Sequence, residues 1–241
     1  GIEAILKHGA EASAELKKLT LSDERVKELE DELNEKDKRL TVKADRLSGL
    51  RKGISGKIDQ AVRVILKELG MEKAKFAIDI KDAPLTSTGS DAVEFLFSAN
   101  EGEPPKPLVR VASGGELSRI MLALKGILAE VDKVPVLIFD EVDAGIGGRT
   151  AESIGTKLKG LGKRHQVLCI THLPQIAAVA DHHVMIEKMR RDERIYVKVK
   201  GLHEKDREEE IARMLGGKVT DISLRHAREL LKQSAAGSIS R

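Results

Sequence analysis

Aromatic side chains are scarce in this sequence: four Phe, one Tyr and no Trp make up 2% of its 241 residues. Set against 34% charged and 41% hydrophobic residues, that scarcity suits long solvated helices joined to an aliphatic α/β core. The hydrophobic fraction and its periodicity argue against a disordered chain, and the length allows one substantial core plus an extension. Cysteine is nearly missing as well, so the lone Cys169 cannot form a disulfide within the chain. It lies in the apolar run Val167-Leu168-Cys169-Ile170, where a buried thiol in a reducing, cytosolic setting is expected. No stretch approaches the roughly 18 apolar residues of a membrane helix, and charges throughout the first 20 residues leave no signal-peptide core. Charge of one sign is lacking too. The net value of +3, from 42 basic and 39 acidic residues, does not mark a nucleic-acid binder, so any basic surface must be local. A start at Gly1 rather than Met is expected of a piece of a longer chain.

What is present begins with a helical pattern over residues 19–69. Leu19, Val26, Leu33, Leu40, Leu47, Ile54 and Ala61 recur every seven residues and form one edge of a coiled-coil seam. Three residues later the second edge reads Ser22, Leu29, Lys36, Lys43, Leu50, Lys57 and Val64, of which only three are apolar. Such a helix spans roughly 75 Å at about 1.5 Å per residue and calls for a partner helix. Gly49, Gly53 and Gly56 predict either a joint near residues 48–56 or close helix packing there. Gly70 ends the helix. "KAKFAIDI" and "DAVEFLFS" then predict an antiparallel pair around the turn-rich "KDAPLTSTGS", followed by the connector "NEGEPPKP".

From residue 108 strands and helices alternate: strand 109–112, helix 116–130, strand 134–140, helix 149–161, strand 167–171. Fully apolar strands between helices predict a mainly parallel, covered sheet in an α/β domain. Strands 183–187 and 195–200 and helices 208–215 and 223–233 follow. The domain division is then a stem helix region at 1–69, an α/β domain at 70–233 and a flexible tail at 234–241.

Chemistry concentrates at three places. "VPVLIFDEVDAGIGG" delivers Asp140 and Glu141 at the C-terminal end of an apolar strand, the edge where open parallel sheets bind ligands. An Asp there can hold the hydration shell of Mg²⁺, and the following Glu can orient or deprotonate water. Alone, two carboxylates ending a strand are more often merely solvated. Twenty-five residues before Asp140 lies Gly115 in "ASGGELSR", where Ser113, Gly114, Gly115 and Glu116 form a turn whose backbone N–H groups and hydroxyl can receive phosphate oxygens. An ordinary helix cap accounts for that tetrad equally well. Thirty-one residues after Glu141, "CITHLPQIA" exposes His172 between a strand and Pro174. The seven histidines do not form a zinc pattern, because His182 and His183 point to opposite strand faces and no Cys pair accompanies them. "EKMRRDERIYVKVK" carries Lys188, Arg190, Arg191, Arg194, Lys198 and Lys200 among acids, an exposed hairpin with solvated charges before it is a DNA contact.

In order, spacing and strand-end placement, residues 109–187 resemble the C-terminal half of an ABC-type ATPase head. Ser113 to Glu116 match its signature motif, Val136 to Glu141 its Walker B strand, and His172 its switch histidine. The form is similar to the SMC-like group. Over residues 68–232, "DAVEFLFSANEGEPPKPLVRVASGGELSRIMLALK", "FDEVDAGIGGRTAESIG", "THLPQIAAVAD" and "EIARMLGG" resemble the RecN family of bacterial DNA repair proteins. After Glu141 many SMC-like heads read D-A-A-L-D; here Asp143-Ala144-Gly145-Ile146-Gly147 places Gly147 at the last aspartate, whose role is not carried over.

No P-loop of the form G-x-x-x-x-G-K-[ST] occurs, since the Gly-Lys pairs at 56–57, 162–163 and 217–218 all lack the earlier glycine. The resemblance accounts for this: in RecN-like proteins the P-loop lies in an N-terminal half, a coiled coil follows, and the chain returns to complete the head. It implies ATP and Mg²⁺ as ligands, with Asp140 holding Mg²⁺ through water and with Glu141 and His172 catalytic on this head's ATP. Ser113 to Glu116 would meet the ATP of an opposing head in a homodimer. The implied partners are the N-terminal half, a second head and double-stranded DNA or its ends, with no membrane. The implied setting is double-strand-break repair and recombination in the cytoplasm at the nucleoid, and the chain alone is expected to be inactive. Two other readings stand beside this one: a non-catalytic coiled-coil and dimerisation fragment, and the head of a different SMC-like ATPase. The "GIGG" and "EIARMLGG" forms disfavour the latter, and the stem and missing P-loop disfavour a transporter ATPase.

Overall fold

The computed structural model describes residues 1–111, 113–191 and 194–236, without the side chains of 23, 24, 191, 235 and 236. Helix α1 runs unbroken over Ile2–Glu68. The helix passes through Gly49, Gly53 and Gly56, where an added Cβ would meet nothing within 4 Å among the described residues. The chain divides into two compact units, Gly1–Ile54 with Ile80–Val93 and Ser55–Asp79 with Glu94–Arg241, and the division falls inside the glycine segment. At the C-terminal end of α1, Gly70 takes a left-handed φ of 77°. Gly70 N donates to Lys67 O at 3.1 Å and Met71 N to Leu66 O at 2.9 Å, the paired bonds of a Schellman cap.

In the first unit, α1 is exposed along its seam: Leu19, Val26, Leu33 and Leu40 stay 48–59% accessible. Strands β1 (Lys75–Thr86) and β2 (Gly89–Ser98) are hydrogen-bonded neighbours joined by two residues, which requires the antiparallel arrangement anticipated from sequence. Their tip is tied to the helix. Arg51 donates to Asp91 Oδ2 and Thr88 O, each at 2.8 Å, and Asp91 is held below its ordinary value by Ser48 and then Arg51. A short β3 (Lys106–Pro107) pairs with β2. The strand predicted for 109–112 is not formed. Leu108–Arg110 is a 3₁₀ turn and Val109 is 92% exposed, because no described strand offers it a ladder; Ala112 lies outside the described residues.

The second unit carries the α/β alternation. In order come α2 (Gly114–Leu128), β4 (Val136–Phe139), α3 (Gly148–Leu161), β5 (Gln166–Cys169) and α4 (Pro174–Ala178). Strands β6 (His183–Arg191) and β7 (Arg194–Leu202) and helices α5 (Glu204–Gly216) and α6 (Asp221–Ala236) complete it. The predicted tail therefore begins as helix at residues 234–236, and 237–241 lie outside the described residues. Helices α2 and α3 bury apolar residues at three- and four-residue spacing, among them Ile120, Ala123, Leu124, Ile154 and Leu158, against Leu66, Phe76 and the inner face of β4. A second, smaller cluster joins Ala177 and Ala178 of α4 to Ile211, Ala212 and Ala227 of α5 and α6. There Arg207 donates to the carbonyls of Ala177, Ala178 and Ala180, satisfying the C-terminal end of α4.

Strands β4 and β5 are parallel, with Val136 opposite Gln166 and Phe139 opposite Cys169. Leu137 and Phe139 face the core, but the alternate residues Val136, Ile138, Leu168 and Ile170 remain 40–68% exposed. The covered sheet anticipated from sequence is thus covered on one face only in this chain. Strands β6 and β7 form a separate antiparallel ribbon with the same character. Its facing pair Ile186 and Val199 is 64% and 65% exposed.

Candidate functional site

Parallel pairing decides which residues meet. Because β4 and β5 run side by side in the same direction, Asp140-Glu141 and Thr171-His172 leave the sheet at one edge. Ile170 N extends the ladder by donating to Phe139 O at 3.0 Å. Beyond it the chain from Asp140 to Gly148 turns sharply, with Glu141 at φ 56°, Gly145 at 71° and Gly148 at 53°. Glu141 is the unusual member. A left-handed non-glycine residue costs roughly 1–2 kcal/mol, and such strain gathers at functional positions.

Helix α2 supports this turn. Ser113 is its N-cap, accepting from Glu116 N at 3.4 Å, as the helix-cap reading of the tetrad expects. Ser118 Oγ donates to Asp140 O at 2.6 Å, and Arg119 Nη1 donates to Ala144 O at 2.9 Å and Val142 O at 3.4 Å. Arg119 is buried, and burial pushes its guanidinium below the ordinary value while Glu116 opposes the shift. Both glycines of the tetrad are contact residues. A Cβ on Gly114 would lie 2.3 Å from Glu141 Oε2, and one on Gly115 would lie 2.9 Å from Ala144 Cβ and 3.0 Å from Glu141 O. The 113–116 turn therefore sits directly on the Glu141 segment of its own chain.

On the β5 side the organising group is Asp143, whose side chain is 4% exposed. Its Oδ2 accepts from Thr171 Oγ1 at 2.5 Å and from His172 N at 2.9 Å, and it lies 3.1 Å from His172 Nδ1. The imidazole itself is 72% exposed. Cys169 behind them is no nucleophile: burial first, then Asp143 and Asp140, push its thiol up to about 12.

Of the residues singled out in the sequence, Asp140, Glu141 and His172 end adjacent strands, and Ser113 to Glu116 form the helix start that packs on Glu141. Asp140 and Glu141 are exposed, as a group receiving a ligand must be. Asp140 Oδ1 accepts from Glu141 N at 2.9 Å, which fixes the carboxylate at the strand end. That donor set suits an oxygen-preferring cation such as Mg²⁺. Sequence reasoning assigns no role to Ser118, Arg119, Asp143 or Thr171. One signal was available: Gly115 and Arg119 stand at i and i+4, one face of a helix that places both against the same turn.

No family model matches the chain. Curated relatives do. The DNA repair protein RecN of Halalkalibacterium halodurans is 40% identical over 236 residues, 95% of this chain and 42% of that protein. RecN of Bacillus subtilis is 42% identical over 250 residues, covering 97% and 43%, and RecN of Rickettsia prowazekii is 45% identical over 190 residues, covering 78% and 34%. Among solved structures, an Smc head domain with a coiled coil and joint from Pyrococcus yayanosii shares 19% identity over 74% of this chain and 29% of that one, with a TM-score of 0.45. The chain thus spans less than half the length of the curated relatives it matches. Over 95–97% of its own length the chain is similar, at 40–42% identity, to part of the RecN proteins.

Proposed function

We propose that the chain is the C-terminal part of an ATP-hydrolysing head in a RecN-type protein acting in DNA double-strand-break repair and recombination. The single observation that carries the proposal is the parallel pair β4–β5, which sets Asp140-Glu141 and His172 at one sheet edge, braced by the Ser113–Arg119 segment. The P-loop comes from the part of the protein outside this chain, which also covers the exposed strand faces. The RecN relatives supply the repair context by name, and double-stranded DNA and a second head are the partners.

In this reading Asp140 would hold Mg²⁺ through its water shell, and the ion would supply charge neutralisation at the phosphates of ATP. Glu141 orients and polarises the attacking water, and the outward Nε2 of His172 contacts the transferring phosphoryl group. Ser113 and the free N–H groups of Gly114 and Gly115 present an anion-binding helix start to the nucleotide of the opposing head. Such chemistry depends on positioning and electrostatics, so a side chain placed by strand pairing and buried hydrogen bonds is well suited to it. The stem α1, with its exposed seam, transmits head closure along a coiled coil formed with a returning helix. In the complete protein, Glu141→Gln is expected to lower ATP turnover by about 10²–10⁴ while ATP still binds. Hydrolysis at the wild-type rate by that variant would remove Glu141 from the role.

A further inference from the structure

We infer that Asp143 is a positioning residue for hydrolysis: its buried carboxylate holds the His172 imidazole by Nδ1 and thereby presents Nε2 to the nucleotide. The inference rests on the ATPase reading above and adds to it a residue that neither the strand-end motif nor the glycine-rich tetrad identifies.

Three observations carry it. Asp143 sits inside the turn built by Glu141, with Ala144 N donating to Glu141 O at 3.0 Å and Ile146 N to Asp143 O at 3.4 Å, so its place is set by the same backbone that strains Glu141. Its side chain is 4% exposed, and the three donors to Oδ2 among the described residues come from Thr171 and His172. Those donors lie 28 and 29 residues away in sequence, just beyond the neighbouring strand. Asp143 therefore joins the Walker B side of the site to the switch side. Thr171 is in turn fixed, because its Oγ1 also accepts from Leu173 N at 3.0 Å, just before Pro174 starts α4.

The chemical consequence follows from imidazole tautomerism. A carboxylate 3.1 Å from Nδ1 favours the form with a proton on Nδ1, which leaves Nε2 as the exposed atom. Without the carboxylate, a 72% exposed ring has no fixed rotamer or tautomer.

The test is single-turnover and steady-state ATP hydrolysis by the complete protein carrying Asp143→Asn, His172→Ala and both changes, with Glu141→Gln as control. Asp143→Asn is expected to lower kcat by about 10- to 100-fold, the usual effect of losing an outer partner of a functional histidine, with KM for ATP unchanged. In the His172→Ala background the same change should have no further effect. An unchanged kcat, or a loss of equal size with and without His172, overturns the inference and makes Asp143 structural only. Should Asp143→Asn unfold the protein, Thr171→Val removes one of the three donors. A smaller fall in kcat at constant KM is then expected, and an unaltered kcat overturns the inference. A complete wild-type protein without ATPase activity overturns the function and this inference together. Activity lost in Glu141→Gln but retained in Asp143→Asn overturns the inference alone.

Discussion

Gly115 has no room for a side chain. A methyl group there would meet Ala144 Cβ at 2.9 Å and the Glu141 carbonyl at 3.0 Å, and the second of these is backbone that cannot swing aside. Gly115→Ala is therefore expected to destabilise the chain by about 1–3 kcal/mol, the usual cost of overpacking. It should also displace Glu141 and lower hydrolysis in the complete protein. Urea unfolding of the chain and ATP turnover of the complete protein check the two effects; an unchanged unfolding midpoint would show that the turn yields freely. The residue types at this site were legible because strand ends and glycine turns leave local marks: Asp140, Glu141, Ser113 and His172 each follow or precede a recognisable element. Thr171 left no such mark, and Asp143 stood in a recognisable segment without a legible role. Their roles arise from a contact across 28 positions, which no local periodicity encodes.

Among the elements, the ribbon β6–β7 and helix α5 meet at His183, where burial depresses the imidazole below its ordinary value of 6.5. Arg207 lowers it further and Glu210 opposes the shift, while Nδ1 has no hydrogen-bond partner among the described residues. A folded-state value below the unfolded one means that the unfolded chain binds the proton more readily. The stabilising contribution of neutral His183 is then complete above pH 6.5 and is lost as the pH falls through the depressed folded value. Urea midpoints should accordingly fall as the pH drops below 6.5, and His183→Gln should flatten that dependence; an identical slope in the variant would place the proton uptake elsewhere. Element identity was largely readable. Helices α2, α3, α5 and α6 carry their apolar spacing openly, and β4 and β5 are short apolar runs between them. The strand anticipated at 109–112 failed for a non-local reason, since a strand needs a neighbour and the described chain supplies none. The glycines at 49, 53 and 56 do not break the helix, so the propensity cost of three glycines is carried within a continuous α1.

For the whole molecule, the exposed apolar strand faces matter most. Parallel strands are ordinarily buried on both sides, yet Val136, Ile138, Leu168 and Ile170 face outward, and so do Ile186 and Val199 of the ribbon. The seam of α1 is equally uncovered. A chain that spans 42–43% of its relatives' length and leaves these surfaces open is suited to completion by the remainder of the protein. Sequence patterning announced the apolar strands but not which face would be bare, because burial of a strand face depends on what packs against it and not on the strand's own residues. Among the described residues no helix is long and apolar enough to cross a membrane.

The most direct measurement is ATP hydrolysis, with and without linear duplex DNA, by this chain alone and after mixing with the separately made P-loop half of the same protein. The account predicts no activity from either piece, activity in the mixture, and its loss when this chain carries Glu141→Gln. A mixture that assembles yet does not hydrolyse ATP would contradict it and leave the chain a stem and scaffold.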